Sequence, residues 1–177
     1  MRKRKQLGKE EFVPVIICVI IERDNERSVR EILLQERWKP RESKKYLGIL
    51  EIPGGKIDKG EEIEETVKRE VYEETGLVVN ILSNSFQKQD CYFFDNKTLA
   101  YSFQPFTCVQ VLNEQNYIGL FVICRVKNGT LRETEEERNH RWVSISELED
   151  LLKENISSLS IRNNWIYKTI YNKHAKR

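Results

Sequence analysis

The apolar residues of this chain fall into short runs that alternate with polar turns. The segment FVPVIICVIIERDNERSVREILLQER reads as two strands around a polar turn at residues 24–26, with the second strand over about residues 29–36. A shorter run, GILEI, ends at Pro53, Gly54 and Gly55. Proline cannot donate a hydrogen bond to a strand ladder, and paired glycines permit a tight backbone path. The pattern therefore predicts two strands, a short third strand and a sharp turn.

A helix with strands on both sides of it in the chain is the next prediction. The helical spacing begins at residue 61 or 62 and ends at Thr75, and Gly76 follows at a position typical of a helix C-terminus. Strand-like runs come next: LVVNIL, CYFF, FTCVQVL, YIGLFVICRV and HRWVSI. The SELE motif at residues 146–149 is interpreted as a capping box that opens a short helix, and residues 161–173 as a further helix. This order predicts an α+β fold with a mixed sheet and helices on its faces.

Composition favours one soluble domain. The chain has 177 residues, of which 39% are hydrophobic and 33% charged. We expect residues 1–10 to form a basic flexible N-terminus, and residues 11–177 to form a single domain that includes the C-terminal helix. The apolar runs are too short to cross a bilayer and no signal-peptide pattern precedes them, so we expect a cytoplasmic protein without a membrane partner. The four cysteines form no C-x-x-C pair, which is typical of reduced thiols rather than of a zinc site.

The charge distribution argues against a nucleic-acid partner. The net charge is +2, but seven basic residues without any acid lie in the two terminal pentapeptides, MRKRK and KHAKR. The rest of the chain is net acidic, which is a poor electrostatic surface for duplex DNA or RNA. We therefore expect no duplex nucleic acid to bind, and we interpret the basic ends as solvated termini.

Seven glutamates crowd the predicted helix, and only Lys68 and Arg69 oppose them. At about 100° per residue, three apolar side chains form a stripe that must face the core: Ile63, Val67 and Val71. Glu70 and Glu74 fall within or at the edge of this stripe, and Glu73 lies beside them. A purely solvated helix face would place its acids opposite the stripe.

These inward glutamates predict a bound cation. Burying an unpaired carboxylate costs several kcal/mol, and Arg69 can compensate only one or two of them. Oxygen ligands without a nearby histidine or cysteine favour Mg²⁺ or Mn²⁺. The glycine turn that precedes the helix can add a carbonyl ligand, for which Gly54 is the candidate.

Residues 55–77 resemble the signature of the Nudix hydrolases. That signature is a glycine, five residues, Glu, seven residues, Arg-Glu, an aliphatic residue, any residue, Glu-Glu, any residue, Gly and an aliphatic residue. The matching residues are Gly55, Glu61, Arg69, Glu70, Val71, Glu73, Glu74, Gly76 and Leu77. The flanking segments LQERW, LEIPGGK, GLFVICRV and RWVSISEL are also similar to the family scaffold. The resemblance covers about residues 11–155 and implies a Nudix-type α/β/α sandwich with a mixed β-sheet.

The resemblance implies an enzyme that acts on small nucleotides. A Nudix hydrolase uses Mg²⁺, or Mn²⁺, to cleave the diphosphate linkage of nucleoside diphosphate derivatives. Two substrate groups stay open: ADP-ribose and nucleotide sugars, whose hydrolases have a lead-in similar to LEIPGGKID, and (d)NTPs including oxidised nucleotides, whose hydrolases share the glycine pair. A regulatory Nudix-like module that binds nucleotides without catalysis is the alternative from another class, and a homodimer also stays open.

Site roles follow from the resemblance residue by residue. Three glutamates would hold the metal together with the Gly54 carbonyl: Glu70, Glu73 and Glu74. Arg69 would orient them through an ion pair with Glu61 or Glu70. The general base would come from the signature or from the later segment RETEEERNH, which offers four candidates: Glu133, Glu135, Glu136 and Glu137. A run of acids like this one is typical of a solvated loop, and of the four we choose Glu137.

Substrate contacts are expected from the strands beside the glycine turn. Arg37 would contact a phosphate, and Glu51 would assist the site, although a surface position is the simpler alternative for both. Four aromatic residues could stack on a base or merely pack: Trp38, Phe93, Phe94 and Trp142. Trp142 is the one that we assign to substrate binding.

Overall fold

The computed structural model describes residues 13–41, 44–93, 98–112 and 116–154. Within these residues there are ten strands: β1 (Val15–Asp24), β2 (Arg30–Arg37), β3 (Leu50–Glu51), β4 (Gly54–Lys56), β5 (Leu77–Ile81), β6 (Phe86–Phe93), β7 (Leu99–Pro105), β8 (Thr107–Val111), β9 (Tyr117–Gly129) and β10 (Glu137–Ser144). Two α-helices accompany them, α1 (Ile63–Thr75) and α2 (Ile145–Glu154), together with a short 3₁₀ helix at Lys44–Tyr46.

A mixed sheet organises the molecule. Its strand order is β10-β2-β1-β9-β5, with β3 paired to β2, β4 to β1 and β8 to β9. The central pair, β1 and β9, is parallel, whereas the other pairs of this sheet are antiparallel. Strands β6 and β7 form a separate antiparallel hairpin. This arrangement confirms the predicted mixed sheet.

Each face of the sheet carries one helix. Along β1, Ile17, Val19 and Ile21 belong to the apolar cluster that contains the α1 stripe. The intervening residues Cys18 and Ile20 belong to the cluster that contains Leu148 of α2. Because successive strand residues point to opposite faces, α1 and α2 lie on opposite sides of the sheet. The expected α/β/α sandwich is confirmed.

The ends of α1 agree with the sequence prediction to within two residues. The helix begins at Ile63, and the Glu62 amide donates to the Glu65 carboxylate at 3.0 Å. It ends at Thr75, and Gly76 adopts the left-handed conformation with φ of 76°. Glycine suits this position because an added Cβ would lie 2.7 Å from the Thr130 carbonyl oxygen.

The predicted capping box of α2 is wrong by two positions. The pattern Ser-x-x-Glu occurs twice here, and the structure uses the first occurrence. The Ser144 amide donates to Glu147 Oε2 at 2.8 Å, and the Glu147 amide donates to Ser144 Oγ at 3.2 Å. Because β10 ends at Ser144, the helix begins one residue later and needs its cap there.

Three predictions fall on residues that the structure does not describe, and all stay predictions. These are the basic N-terminus at residues 1–10, the C-terminal helix at residues 161–173 and the candidate stacking residue Phe94. No helix of the described residues has the length and apolar character needed to traverse a bilayer.

Candidate active site

A cleft of about 590 Å³ opens between α1, the β4 turn and the segment after β2. Five carboxylates and three cations are among the residues that line it: Glu51, Glu70, Glu73, Glu74 and Glu136, and Arg37, Lys39 and Lys56. The glycine pair, Gly54 and Gly55, lines it as well. The cleft is therefore acidic despite the positive net charge of the chain.

Glu74 lies at the floor of this cleft, in the last turn of α1. Its side chain is buried, and its Oε2 accepts hydrogen bonds from the Gly54 amide and from Gln35 Nε2, both at 2.9 Å. Burial raises the pKa of Glu74, and the two hydrogen bonds oppose that rise only in part. The helix carboxylate is thus tied to the glycine turn and to β2.

Arg69 collects the carboxylates on the neighbouring face of α1. Its Nε and Nη2 donate to the two oxygens of Glu61 at 2.8 and 2.9 Å. Its Nη1 donates to Glu70 at 2.8 Å and to Glu73 at 3.1 Å. The guanidinium hydrogen bonds hold the pKa of Glu61 at about 2, so Glu61 stays ionised. One arginine therefore fixes three signature glutamates.

Glu70 also packs tightly against the glycine turn. A Cβ placed on Gly55 would lie 2.2 Å from Glu70 Oε1. Burial raises the pKa of the Glu70 carboxyl, while the Arg69 guanidinium acts in the opposite direction. Gly55 is therefore required by the close approach of a carboxylate that Arg69 already holds.

Glu137 lies on a strand rather than in a loop. It is the first residue of β10, and its side chain is fully buried, unlike the solvated loop acid that the RETEEERNH segment suggests. Within the described residues, neither of its carboxylate oxygens accepts a hydrogen bond. Burial raises the pKa of Glu137, and the negative charge of Glu74 adds to the rise.

Lys39 is a site residue that the sequence analysis missed. Its Nζ lies 2.7 Å from Glu136, 3.5 Å from Glu137 Oε1 and 3.8 Å from Glu74 Oε1. In sequence it belongs to the polar loop KPRESKKY, where nothing distinguishes it from its neighbours. Gln35 was missed as well, because a single amide in a strand has no spacing signal.

The substrate-binding predictions divide into two groups. Arg37 and Glu51 both line the cleft and approach each other, with 3.3 Å between Arg37 Nη1 and Glu51 Oε1. Trp142 is not among the described residues that line it. Its ring joins the core cluster on the α1 side, and the Arg23 guanidinium lies 4.1 Å from the ring centroid. The geometry therefore favours the packing alternative for Trp142.

The carboxylates surround the cleft without converging on one point. In the described part of the chain, no group of three acidic, histidine or cysteine side chains is arranged as a ready metal site. Arg69 holds Glu70 and Glu73, whereas Gln35 and the glycine turn hold Glu74. The four assigned metal ligands thus lie around one cleft, and the metal site itself stays a prediction.

Solved structures of similar fold are numerous. The MutT protein from Methanosarcina mazei Go1 has 18% identity and a TM-score of 0.58, over 96% of this chain and 100% of that one. An Ap4A hydrolase from C. elegans has 16% identity and a TM-score of 0.58, over 93% and 100%. A UDP-X diphosphatase has 17% identity and a TM-score of 0.54, over 96% and 68%. At such identities the likeness establishes the fold alone.

Family membership comes from the sequence as a whole. No curated protein sequence matches the chain significantly. The family model of the NUDIX domain, in contrast, matches residues 12–162, which is most of the chain. This match includes the glycine turn, the glutamates of α1 and the buried Glu137. The chain belongs to the Nudix hydrolase family.

Proposed function

We propose that the protein catalyses the Mg²⁺-dependent hydrolysis of the diphosphate linkage in nucleoside diphosphate derivatives. The observation that carries this proposal is the excess of carboxylates over cations around the cleft, next to a glycine turn. A diphosphate brings further negative charge, so it can bind in such a cleft only together with a cation.

The donor set fits a hard divalent ion. The candidate ligands are carboxylate oxygens and a main-chain carbonyl, which suit Mg²⁺ or Mn²⁺. Among the described residues, neither oxygen of Glu137 accepts a hydrogen bond, which supports an additional positive charge nearby. Glu70, Glu73, Glu74 and the Gly54 carbonyl would hold the ion. When bound, it would neutralise charge on the phosphate oxygens and lower the pKa of a coordinated water.

The remaining residues would orient these groups and move the proton. Arg69 is a positioning residue, because it fixes Glu70 and Glu73 while it binds Glu61. Glu137 would accept a proton from the attacking water, because a bound divalent ion would oppose the rise that burial causes in its pKa and keep the carboxylate ionised. Arg37, oriented by Glu51, would bind a phosphate.

Arg69→Ala should lower the hydrolysis rate by about tenfold and the free energy of unfolding by roughly 2 kcal/mol. The helix would lose its bidentate pair with Glu61, and Glu70 and Glu73 would lose their common anchor. Arg69→Lys keeps the charge but cannot form the bidentate pair, so its rate and stability should lie between those of wild type and those of Arg69→Ala. Steady-state rates and urea unfolding measure both effects. If Arg69→Ala keeps the wild-type rate and stability, Arg69 is not a positioning residue.

The metal-free protein should lose stability as pH rises from about 6.5 to about 9. Burial raises the folded-state pKa of Glu74 and Glu137, so in this window the folded protein holds protons that the unfolded chain has released. The free energy of unfolding therefore falls with pH, by up to about 1.4 kcal/mol per unit and proton. His140, whose pKa burial lowers, acts in the opposite sense only below 6.5.

Urea unfolding in EDTA across this range measures the slope. Glu137→Gln should reduce it, because an amide has no proton to release. Saturating Mg²⁺ should flatten the slope in the wild type. If the free energy of unfolding of the metal-free protein stays constant or rises over the same pH window, burial does not raise the pKa of these two carboxyl groups.

The substrate is the finer part of the proposal. The similar structures include one named for Ap4A and one named for UDP derivatives, so fold similarity leaves the choice open. A direct test incubates the protein with ADP-ribose, nucleotide sugars, dinucleoside polyphosphates, and canonical and oxidised (d)NTPs, with Mg²⁺ or EDTA, and resolves the products chromatographically. Metal-dependent cleavage of one group supports the proposal and assigns the substrate. Tight binding of one compound without cleavage would favour the regulatory module instead.

A further inference from the structure

Three carboxylates meet at Lys39: Glu74 and Glu136, which line the cleft, and Glu137, which is not among the described residues that line it. The lysine follows β2 by two residues, and its side chain is 16% exposed. Its nearest neighbour is the exposed Glu136, at 2.7 Å, and the buried Glu137 and Glu74 lie at 3.5 and 3.8 Å. The ammonium therefore bridges one solvated and two buried acids.

In the part of the chain that the structure describes, Lys39 is the cation in the ion pairs of both buried acids. Glu74 Oε2 is occupied by Gly54 and Gln35, and its Oε1 is the atom that approaches the lysine. Neither oxygen of Glu137 accepts a hydrogen bond from the described residues. Among those residues, Glu137 forms one ion pair, and its partner is Lys39. The Arg37 guanidinium also lowers the pKa of Glu137, but its ion pair is with Glu51.

We propose that the Lys39 ammonium is a resident counter-cation, which neutralises Glu74 and Glu137 in the metal-free protein and competes with the divalent ion for them. This inference rests on the proposed metal-dependent function. A second cation among these oxygens would be repelled by the ammonium at short range. Lysine has a long flexible stem, and Glu136 offers a solvated position to which the ammonium can withdraw.

Two consequences follow from such competition. Metal affinity is lower than the same carboxylates would give without the lysine, because binding must displace the ammonium. The metal-free protein is more stable than it would be without the lysine, because the two buried carboxyl groups would otherwise repel each other where they are ionised or would have to stay protonated. Lys39 thereby links the stability of the empty site to its affinity for metal.

Calorimetric titration of the nucleotide-free protein with Mn²⁺ and Mg²⁺ at pH 8 tests the first consequence. Lys39→Met, which keeps the stem and removes the charge, should bind the ions about tenfold more tightly, or about 1.4 kcal/mol. Lys39→Arg should stay within about threefold of wild type. Lys56→Met is the matched control, because Lys56 lines the same cleft. Among the described residues, Lys56 forms no ion pair with Glu74, Glu136 or Glu137. The metal affinity of this variant should differ from that of wild type by less than about twofold.

Thermal unfolding tests the second consequence without any metal. In EDTA at pH 8, Lys39→Met should melt at least about 3 °C below wild type, and saturating Mg²⁺ should close this gap. If Lys39→Met does not fold in EDTA, the double variant Lys39→Met/Glu137→Gln should recover folding, since it removes one of the two buried acids. A double variant that stays unfolded would overturn the role of the ammonium as a counter-cation.

The outcomes separate this inference from the function on which it rests. Unchanged or weaker metal binding by Lys39→Met, in a wild type that binds metal and hydrolyses its substrate, overturns the competition alone. Weaker binding in particular would mean that the lysine organises the ligands. A wild-type protein that binds neither Mn²⁺ nor Mg²⁺ overturns both.

Discussion

Glu74→Gln should reduce the hydrolysis rate by about 1000-fold while leaving the protein folded. The side-chain oxygen of glutamine can still accept the hydrogen bonds that Gly54 and Gln35 donate to Glu74 Oε2. The neutral amide cannot supply the negative charge that a divalent ion requires. Glu73→Gln should behave similarly, and because its side chain is 58% exposed it should disturb the fold even less.

Glu64→Gln is the matched control for this loss. Glu64 belongs to the same helix and has the same charge, but it is not among the described residues that line the cleft. Its rate should equal that of wild type. Initial rates under saturating Mg²⁺, with circular dichroism to confirm folding, measure all three variants. If Glu74→Gln or Glu73→Gln retains the wild-type rate, these carboxylates do not hold the metal.

Gly55→Ala should lower the rate by about 100-fold with little change in stability. The new methyl group would occupy space 2.2 Å from Glu70 Oε1, so the carboxylate must move. The free energy of unfolding should change by less than about 1 kcal/mol, because the clash is with the end of a flexible side chain. The Arg69 hydrogen bond limits where that carboxylate can go, so Glu70 would be displaced from the cleft.

Gly60→Ala should have the opposite effect to Gly55→Ala, lowering stability rather than the hydrolysis rate. Gly60 has φ of 85°, and no atom of the described residues lies within 4 Å of its added Cβ, so alanine strains the backbone without touching the site. This variant should lose about 1 kcal/mol of stability and keep its rate. Urea unfolding and initial rates on both variants separate the two effects. The account of Glu70 would be wrong if Gly55→Ala lost stability but kept activity.

The burial of the helix glutamates was predictable from spacing alone. Helical periodicity puts Glu70 and Glu74 beside the apolar stripe, and the structure finds Glu74 buried and the Glu70 side chain 13% exposed. The mixed sheet with helices on its faces was predictable from the order of the elements, and the sandwich was implied by the family resemblance. Helical periodicity thus accounts for the α1 side of the cleft.

The contacts around Lys39 depend on tertiary pairing that no local pattern encodes. Lys39, Gln35 and Glu137 come together because β10 pairs with β2, so that Glu137 lies opposite Arg37. In sequence, Glu137 ends a run of acids, which suggested a solvated loop. Trp142 was predicted to bind substrate, but it packs against the core. An aromatic residue on a strand can serve either purpose, and only its tertiary contacts distinguish the two.

The most direct measurement of the central claim is the hydrolysis rate as a function of Mg²⁺ concentration, with the products identified, for the compound that the substrate panel selects. We expect no cleavage in EDTA, a hydrolysis rate that rises with Mg²⁺ concentration and saturates, and two products that divide the diphosphate between them. A rate that is equal in EDTA and in Mg²⁺, or cleavage at any bond other than the phosphoanhydride, would contradict this claim.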